Sequence, residues 1–222
     1  LFGKYCSLCH GNNGEGYTAD GANALANQDF LAIADDAFLY ASIEKGRPGT
    51  PMSAWGQTRN GPLSDSEIKA LVAWIRNWQE RPSMTLSQVP IEGKASRGEP
   101  LYAVHCVSCH GEEGKGGLYM SISNPEFLAS VPDEFLKISI AGGREGTPMP
   151  AYGATIPEQG IEDLVALIRN WQTEVAQHQR VEPITTLVDV VLNPDGPEPE
   201  FTEGERYVGV DTVFAELNRN AK

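Results

Sequence analysis

Two pentapeptides, Cys6-Ser-Leu-Cys9-His10 and Cys106-Val-Ser-Cys109-His110, hold the residues of this 222-residue chain best placed to do chemistry, and they use all four of its cysteines. Two thiols three residues apart on a helical turn can both reach the vinyl groups of one porphyrin and form thioether bonds. The histidine that follows then lies under the iron as an axial ligand. Cys-x-x-Cys-His is the attachment signature of a c-type haem, so the chain is read as carrying two covalently bound haem c groups, each with iron. Two blander readings compete. Two Cys-x-x-Cys pairs can supply four thiolates to zinc, yet zinc requires neither the trailing histidines nor a longer repeat. A redox dithiol needs a strand before the motif, whereas Leu101, Tyr102 and Val104 run into the second motif as an apolar helical stretch.

A sixth ligand is suggested by a second repeat. Lys45-Gly-Arg-Pro-Gly-Thr-Pro-Met52-Ser-Ala-Trp55 follows the first motif, and Gly142-Gly-Arg-Glu-Gly-Thr-Pro-Met149-Pro-Ala-Tyr152 follows the second. With these loops the chain resembles the class I cytochromes c, and the doubled arrangement is similar to dihaem members such as cytochrome c4. The resemblance implies that Met52 and Met149 close over the iron face opposite His10 and His110, making all four metal ligands. Pro51 and Pro148 stiffen the loop beside each thioether. A soft thioether partly stabilises ferrous iron, and His/Met ligation raises the reduction potential. Met84 and Met120 lack the loop and are read as gap fillers in the core.

The elements that must position these groups also repeat. Ser64 and Glu67 have capping-box spacing, and Ile68, Leu71, Val72, Ile75 and Trp78 follow on one helical face over 64–79. Ile161, Leu164, Val165, Ile168 and Trp171 repeat that face, and Ile-Arg-Asn-Trp-Gln occurs identically at 75 and 168. Shorter helices are predicted over Asp36 to Lys45 and Asp133 to Ala141. The fold expected is all-α: two tandem cytochrome c domains, 1–80 and 96–175, each wrapped around a covalent haem. A linker, 81–95, joins them over the surface. Units of about 80 residues bury little surface of their own, and a large covalent group makes up the difference. The resemblance implies that first and last helices cross near an aromatic contact, with Trp74 at that position, Leu167 its counterpart, Gly98 and Tyr102 in the second opening helix and Phe2 in the first.

A C-terminal extension of irregular or mixed structure, 176–222, stands outside the repeat. It holds the apolar run Leu187 to Leu192, an acidic proline-rich stretch from Asn193 to Glu205, and Val210, Val213, Phe214 and Leu217 as one face of a short helix capped by Asp211. It is read either as a tail docked on the domains or as a remnant of a further one.

Seventeen basic against thirty acidic residues give a formal charge of −13, which argues against nucleic acid or an anionic membrane as partner and for a redox protein with a basic docking patch. No run is long enough to span a membrane. The resemblance implies haem attachment outside the cytoplasm, so a periplasmic or otherwise exported location is expected, with a signal peptide ahead of Leu1. Arg47 and Arg144 are read as partners of haem propionates, with Trp55 and Tyr152 as hydrogen-bond donors to them, against the alternative that all four are turn residues. His105 and His178 are read as surface residues. The function expected is electron transfer through two closed centres, directly or as part of a larger complex with a membrane-bound oxidase or reductase. The alternative is a dihaem oxidoreductase acting on a sulfur compound or peroxide.

Overall fold

Each half of the chain closes with a helix whose apolar stripe forms the core. The computed structural model describes residues 1–19 and 21–178, with side chains through residue 172. Among these residues every regular element is helical, and the only ladder contact is an isolated bridge, Gly56–Leu63. The first half runs α1 (Phe2–Tyr5), α2 (Ser7–His10), α3 (Gln28–Ile33), α4 (Asp36–Lys45) and α5 (Asp65–Arg76). The second repeats the order as α6 (Ala95–His105), α7 (Val107–His110), α8 (Pro125–Ser130), α9 (Asp133–Gly142) and α10 (Glu158–His178). None of these helices is long and apolar enough to cross a membrane. The predicted features at Leu187 to Leu192, Asn193 to Glu205 and Val210 to Leu217 lie outside the described residues, as does the side chain of His178.

The capping box forms as expected: Ser64 Oγ accepts from the Glu67 N–H at 3.4 Å, and the Ser64 N–H donates to Glu67 Oε2 at 2.8 Å. Behind it Ile68, Leu71, Val72 and Ile75 are buried, as are Ile161, Leu164, Val165, Ile168 and Trp171 of α10. The repeated Ile-Arg-Asn-Trp-Gln string has a physical role in its arginine. Arg169 donates to Asp133 Oδ1 on α9 and to the carbonyls of Leu128 and Val131, each at 2.6 Å. Arg76 makes the same set, to Asp36 at 2.6 Å, to the Leu31 carbonyl at 2.9 Å and to the Ala34 carbonyl. One guanidinium thus satisfies carbonyls left open where α3 or α8 ends and ties that turn to the closing helix.

The crossing of opening and closing helices differs from the expected one. Trp78 meets Phe2 edge-on at 5.1 Å, and Trp171 meets Tyr102 at 4.8 Å. Trp74 is 52% exposed, while its counterpart Leu167 is buried. The aromatic contact therefore belongs to the tryptophan of the identical string, four residues further along the same face. Gly98 is where α6 presses on α10: a Cβ there would stand 2.4 Å from the Asp163 carbonyl oxygen. Arg97 holds the Asp163 carboxylate at 2.8 Å through both nitrogens, and this keeps its pKa below the usual aspartate value.

The two halves meet around a pseudo-twofold axis, in the isologous manner of a symmetric dimer. Asn27 caps α3 with its side-chain oxygen and donates its amide nitrogen to the Glu145 carbonyl at 2.9 Å. Asn124 caps α8 and donates to the Pro48 carbonyl at 2.9 Å. Pro48 and Glu145 are corresponding positions of the two methionine loops, so each half's cap grips the other half's loop. Phe38 and Phe135, also equivalent, meet where the halves touch, their centroids 5.4 Å apart and their rings tilted by 37°. The connection between halves is pinned as well as exposed. Arg81 pairs with Asp29 at 2.7 Å and Glu145 at 3.3 Å, and the Met84 N–H reaches the Ala32 carbonyl at 2.7 Å. Met84 itself is 53% exposed, which corrects its reading as a core filler: the strap holds it by its backbone and leaves the thioether outside.

Candidate haem-binding cavity

In both motifs the helix breaks at the first cysteine and restarts, so Cys-x-x-Cys-His occupies a single turn, α2 or α7, ended by a glycine with positive φ, Gly11 at 77° or Gly111 at 73°. That turn places both thiols and the imidazole on one side. All four cysteines are free, and burial pushes the Cys6 and Cys106 thiols up to about 11. Among the described residues no three His, Cys, Asp or Glu side chains gather as a metal cluster.

His10 Nδ1 lies 2.9 Å from the Asn23 carbonyl oxygen, and His110 Nδ1 lies 3.0 Å from that of Met120. A carbonyl can only accept, so Nδ1 is the protonated nitrogen and Nε2 keeps its lone pair for a metal. Burial lowers both imidazole pKa values, which keeps the rings neutral as ligation requires.

Met52 and Met149 are presented by loops closed in the same way. The Arg47 N–H donates to the Met52 carbonyl at 2.7 Å, and that of Arg144 to the Met149 carbonyl at 2.9 Å. Inside each ring a threonine acts as a staple: Thr50 Oγ1 donates to the Arg47 carbonyl and accepts from the Met52 N–H, and Thr147 does the same between Arg144 and Met149. At Gly46 and Gly143, φ is positive and a Cβ would strike the far side of the loop, 2.4 Å from Ser53 C and 2.5 Å from Pro150 C. These contacts explain the repeated Gly-Arg-x-Gly-Thr-Pro-Met.

All these groups line one continuous cavity of about 820 Å³. It receives Cys6, Cys9, His10 and Met52 from the first half and Cys106, Cys109, His110 and Met149 from the second. Arg47, Arg144, Trp55 and Tyr152 complete the wall. Arg47 donates to Ser42 Oγ at 2.7 Å and Arg144 to Ser139 Oγ at 2.6 Å, and burial pushes both guanidiniums down to about 10. Neither makes an ion pair among the described residues. A buried cation with no carboxylate partner is costly, and the anionic edge of a porphyrin would offset that cost. The donor set, the open Nε2 atoms and these two cations fit the group that the motifs imply.

Two placements differ from expectation. The Tyr152 hydroxyl donates to the His105 carbonyl at 2.8 Å, so its single proton is committed to the backbone rather than to a propionate. His105 lies on the cavity wall with its ring 5.6 Å from that of Tyr152, matching Tyr5 against Trp55 at 5.3 Å in the first half; it is a wall residue, not a surface one. Ser42 and Ser139, which fix the arginines, lie outside the repeated loop motif and emerge only from the structure.

The family model described as "Cytochrome C oxidase, cbb3-type, subunit III" matches residues 1–75 and 93–168. The Cbb3-type cytochrome c oxidase subunit CcoP of Azospirillum sp. (strain B510) is 25% identical over 187 residues, covering 76% of this chain and 59% of its own. Subunit FixP of Bradyrhizobium diazoefficiens is 27% identical over 180 residues, 77% of this chain and 58% of its own. A "Cytochrome bc1 complex cytochrome c subunit" of Mycobacterium bovis is 24% identical over 156 residues, 67% of this chain and 53% of its own. The chain spans about three fifths of the length of the first of these relatives.

Proposed function

The chain belongs to the cbb3-type cytochrome c oxidase subunit III family, and on that premise we propose that it passes electrons through two His/Met-ligated haem c centres to or within a membrane-bound oxidase or a related complex. It is a tandem dihaem cytochrome c and an electron-transfer module rather than a catalyst. One observation carries the proposal: a single cavity receives a matched histidine and methionine from each half. Each bound haem supplies one-electron exchange between ferric and ferrous iron. Cys6 and Cys9 would hold one group and Cys106 and Cys109 the other; His10 with Met52, and His110 with Met149, would be the residues that ligate each iron. The stapled loops hold the thioethers in place, so little moves when an electron arrives. Arg47 and Arg144 would pair with haem propionates, and the Trp55 indole would donate a hydrogen bond to one.

The domains assigned are 1–80 and 96–175, with 81–95 between them and 176–222 as an extension. An exported, periplasm-facing location follows from where haem c is attached, and the acidic charge suits a partner with a basic docking patch. An optical redox titration of the holoprotein tests the core of this reading. Two low-spin one-electron components, both with a near-infrared sulfur-to-iron band, are expected, and a high-spin component would return the dihaem oxidoreductase reading.

The arginines give a further expected result. Arg47→Gln lowers the midpoint of the first centre and Arg144→Gln that of the second, because removing a nearby cation favours ferric over ferrous iron. The fall is ~59 mV for each tenfold of lost preference. It is largest at pH values where the propionates are ionised, since there the anion loses its partner. Midpoints unchanged across the pH range would put both guanidiniums out of contact with the haem edges.

A further inference from the structure

We propose that Asn23 and Met120 couple the two redox centres, each residue positioning the ligand histidine of its own half while touching its counterpart in the other. Both stand at the same distance ahead of their ligand methionine, and both offer the backbone carbonyl that accepts from a ligand histidine. They also touch. Asn23 Nδ2 donates to Met120 Sδ at 3.4 Å, a normal length for a bond to sulfur, so His10, Asn23, Met120 and His110 form one unbroken chain of contacts from one candidate iron ligand to the other.

The surroundings make this chain more than a chance encounter. Asn23 and Met120 sit in irregular segments, where no helix fixes the direction of a carbonyl. The two segments bear on each other on both sides of the contact. Tyr17 meets Tyr119 edge-on at 5.7 Å, and a Cβ at Gly21 would stand 2.9 Å from the Leu118 carbonyl oxygen. Tyr17 is itself held at φ 56°, a backbone setting that a non-glycine residue adopts at a cost. The direction of each carbonyl is thus set by packing against the opposite half. A hydrogen bond at Nδ1 orients the imidazole and raises its basicity toward a metal, so a displacement on one side alters ligand strength on the other. Such coupling is reciprocal by thermodynamic necessity.

The inference rests on the His/Met reading of the cavity and is tested on the holoprotein by a double-mutant cycle. Asn23→Ala removes the amide and keeps the carbonyl; Met120→Leu removes the sulfur acceptor and keeps the volume. The readouts are both midpoint potentials, by optical titration, and the Nδ1 proton shifts of both histidines. Each single variant is expected to raise both midpoints, because a slackened N–H···O bond makes the imidazole a weaker donor to ferric iron, and to move both proton shifts. The double variant is expected to go no further than either single one. Shifts confined to the substituted half, shifts that add, or a loss of thermal stability at constant midpoints would each overturn the coupling. Met120→Leu decides alone if Asn23→Ala does not mature. Should the unaltered protein lack low-spin His/Met spectra, the ligation reading fails instead, which separates the two.

Discussion

Met52→Leu abolishes the sulfur-to-iron band of one centre and sharply lowers its midpoint potential, while the other centre keeps its own band; Met149→Leu does the converse. Leucine keeps the volume of methionine, and the loop that presents it is closed by Arg47–Met52 or Arg144–Met149 backbone bonds and by a threonine staple. The substitution therefore removes a ligand without opening the loop. Axial ligation moves haem potentials over a span of roughly 0.8 V, and loss of a thioether that favours ferrous iron should use a sizeable part of it. The same centre should become high-spin and bind carbon monoxide, in one equivalent per chain. Absorbance, near-infrared intensity and titration of the two variants side by side read all of this. A full-intensity band in either variant would show that its methionine is not a ligand.

That experiment works because the halves repeat, and the repeat is also what made the site legible before any coordinates. The Cys-x-x-Cys-His turns, the methionine loops and Arg47 with Arg144 are local patterns, and α4 spans Asp36–Lys45, the range predicted for it. What the sequence concealed is of another kind. Ser42 and Thr50 act through pairs of hydrogen bonds whose partners residue type alone does not reveal. The Asn27 and Asn124 caps are readable as caps, but their grip on the opposite loop joins residues more than seventy positions apart. Trp74 and Trp78 lie four residues apart on one face of α5 and its final turn, so periodicity alone cannot say which of them meets Phe2. The structure decides for Trp78, since Gly14 leaves room for its ring: a Cβ there would stand 2.6 Å from it. Gly114 and Trp171 repeat that arrangement.

Gly98→Ala should unfold the second half far more easily, although helix propensity taken alone predicts the opposite. In an exposed helix interior alanine is favoured over glycine by about 1 kcal/mol. At Gly98 the added methyl would lie 2.4 Å from the Asp163 carbonyl oxygen and 2.8 Å from its carbon, and both are backbone atoms of α10 that cannot step aside singly. The helices must part, which draws Tyr102 from Trp171 and strains the Arg97–Asp163 pair. Overpacking of this kind costs about 3 kcal/mol at the upper end of its common range, so the steric loss outweighs the propensity gain. At 4–8 °C for each kcal/mol in a domain of this size, the second half's midpoint of thermal unfolding should fall by about 10 °C. Gly142→Ala is the matched control, because a Cβ there meets nothing within 4 Å and only propensity remains, worth at most about 1 kcal/mol. A Gly98→Ala protein as stable as the unaltered chain would mean that α6 and α10 do not cross at this glycine. The opening helix that delivers Cys106 to the cavity would then need another anchor.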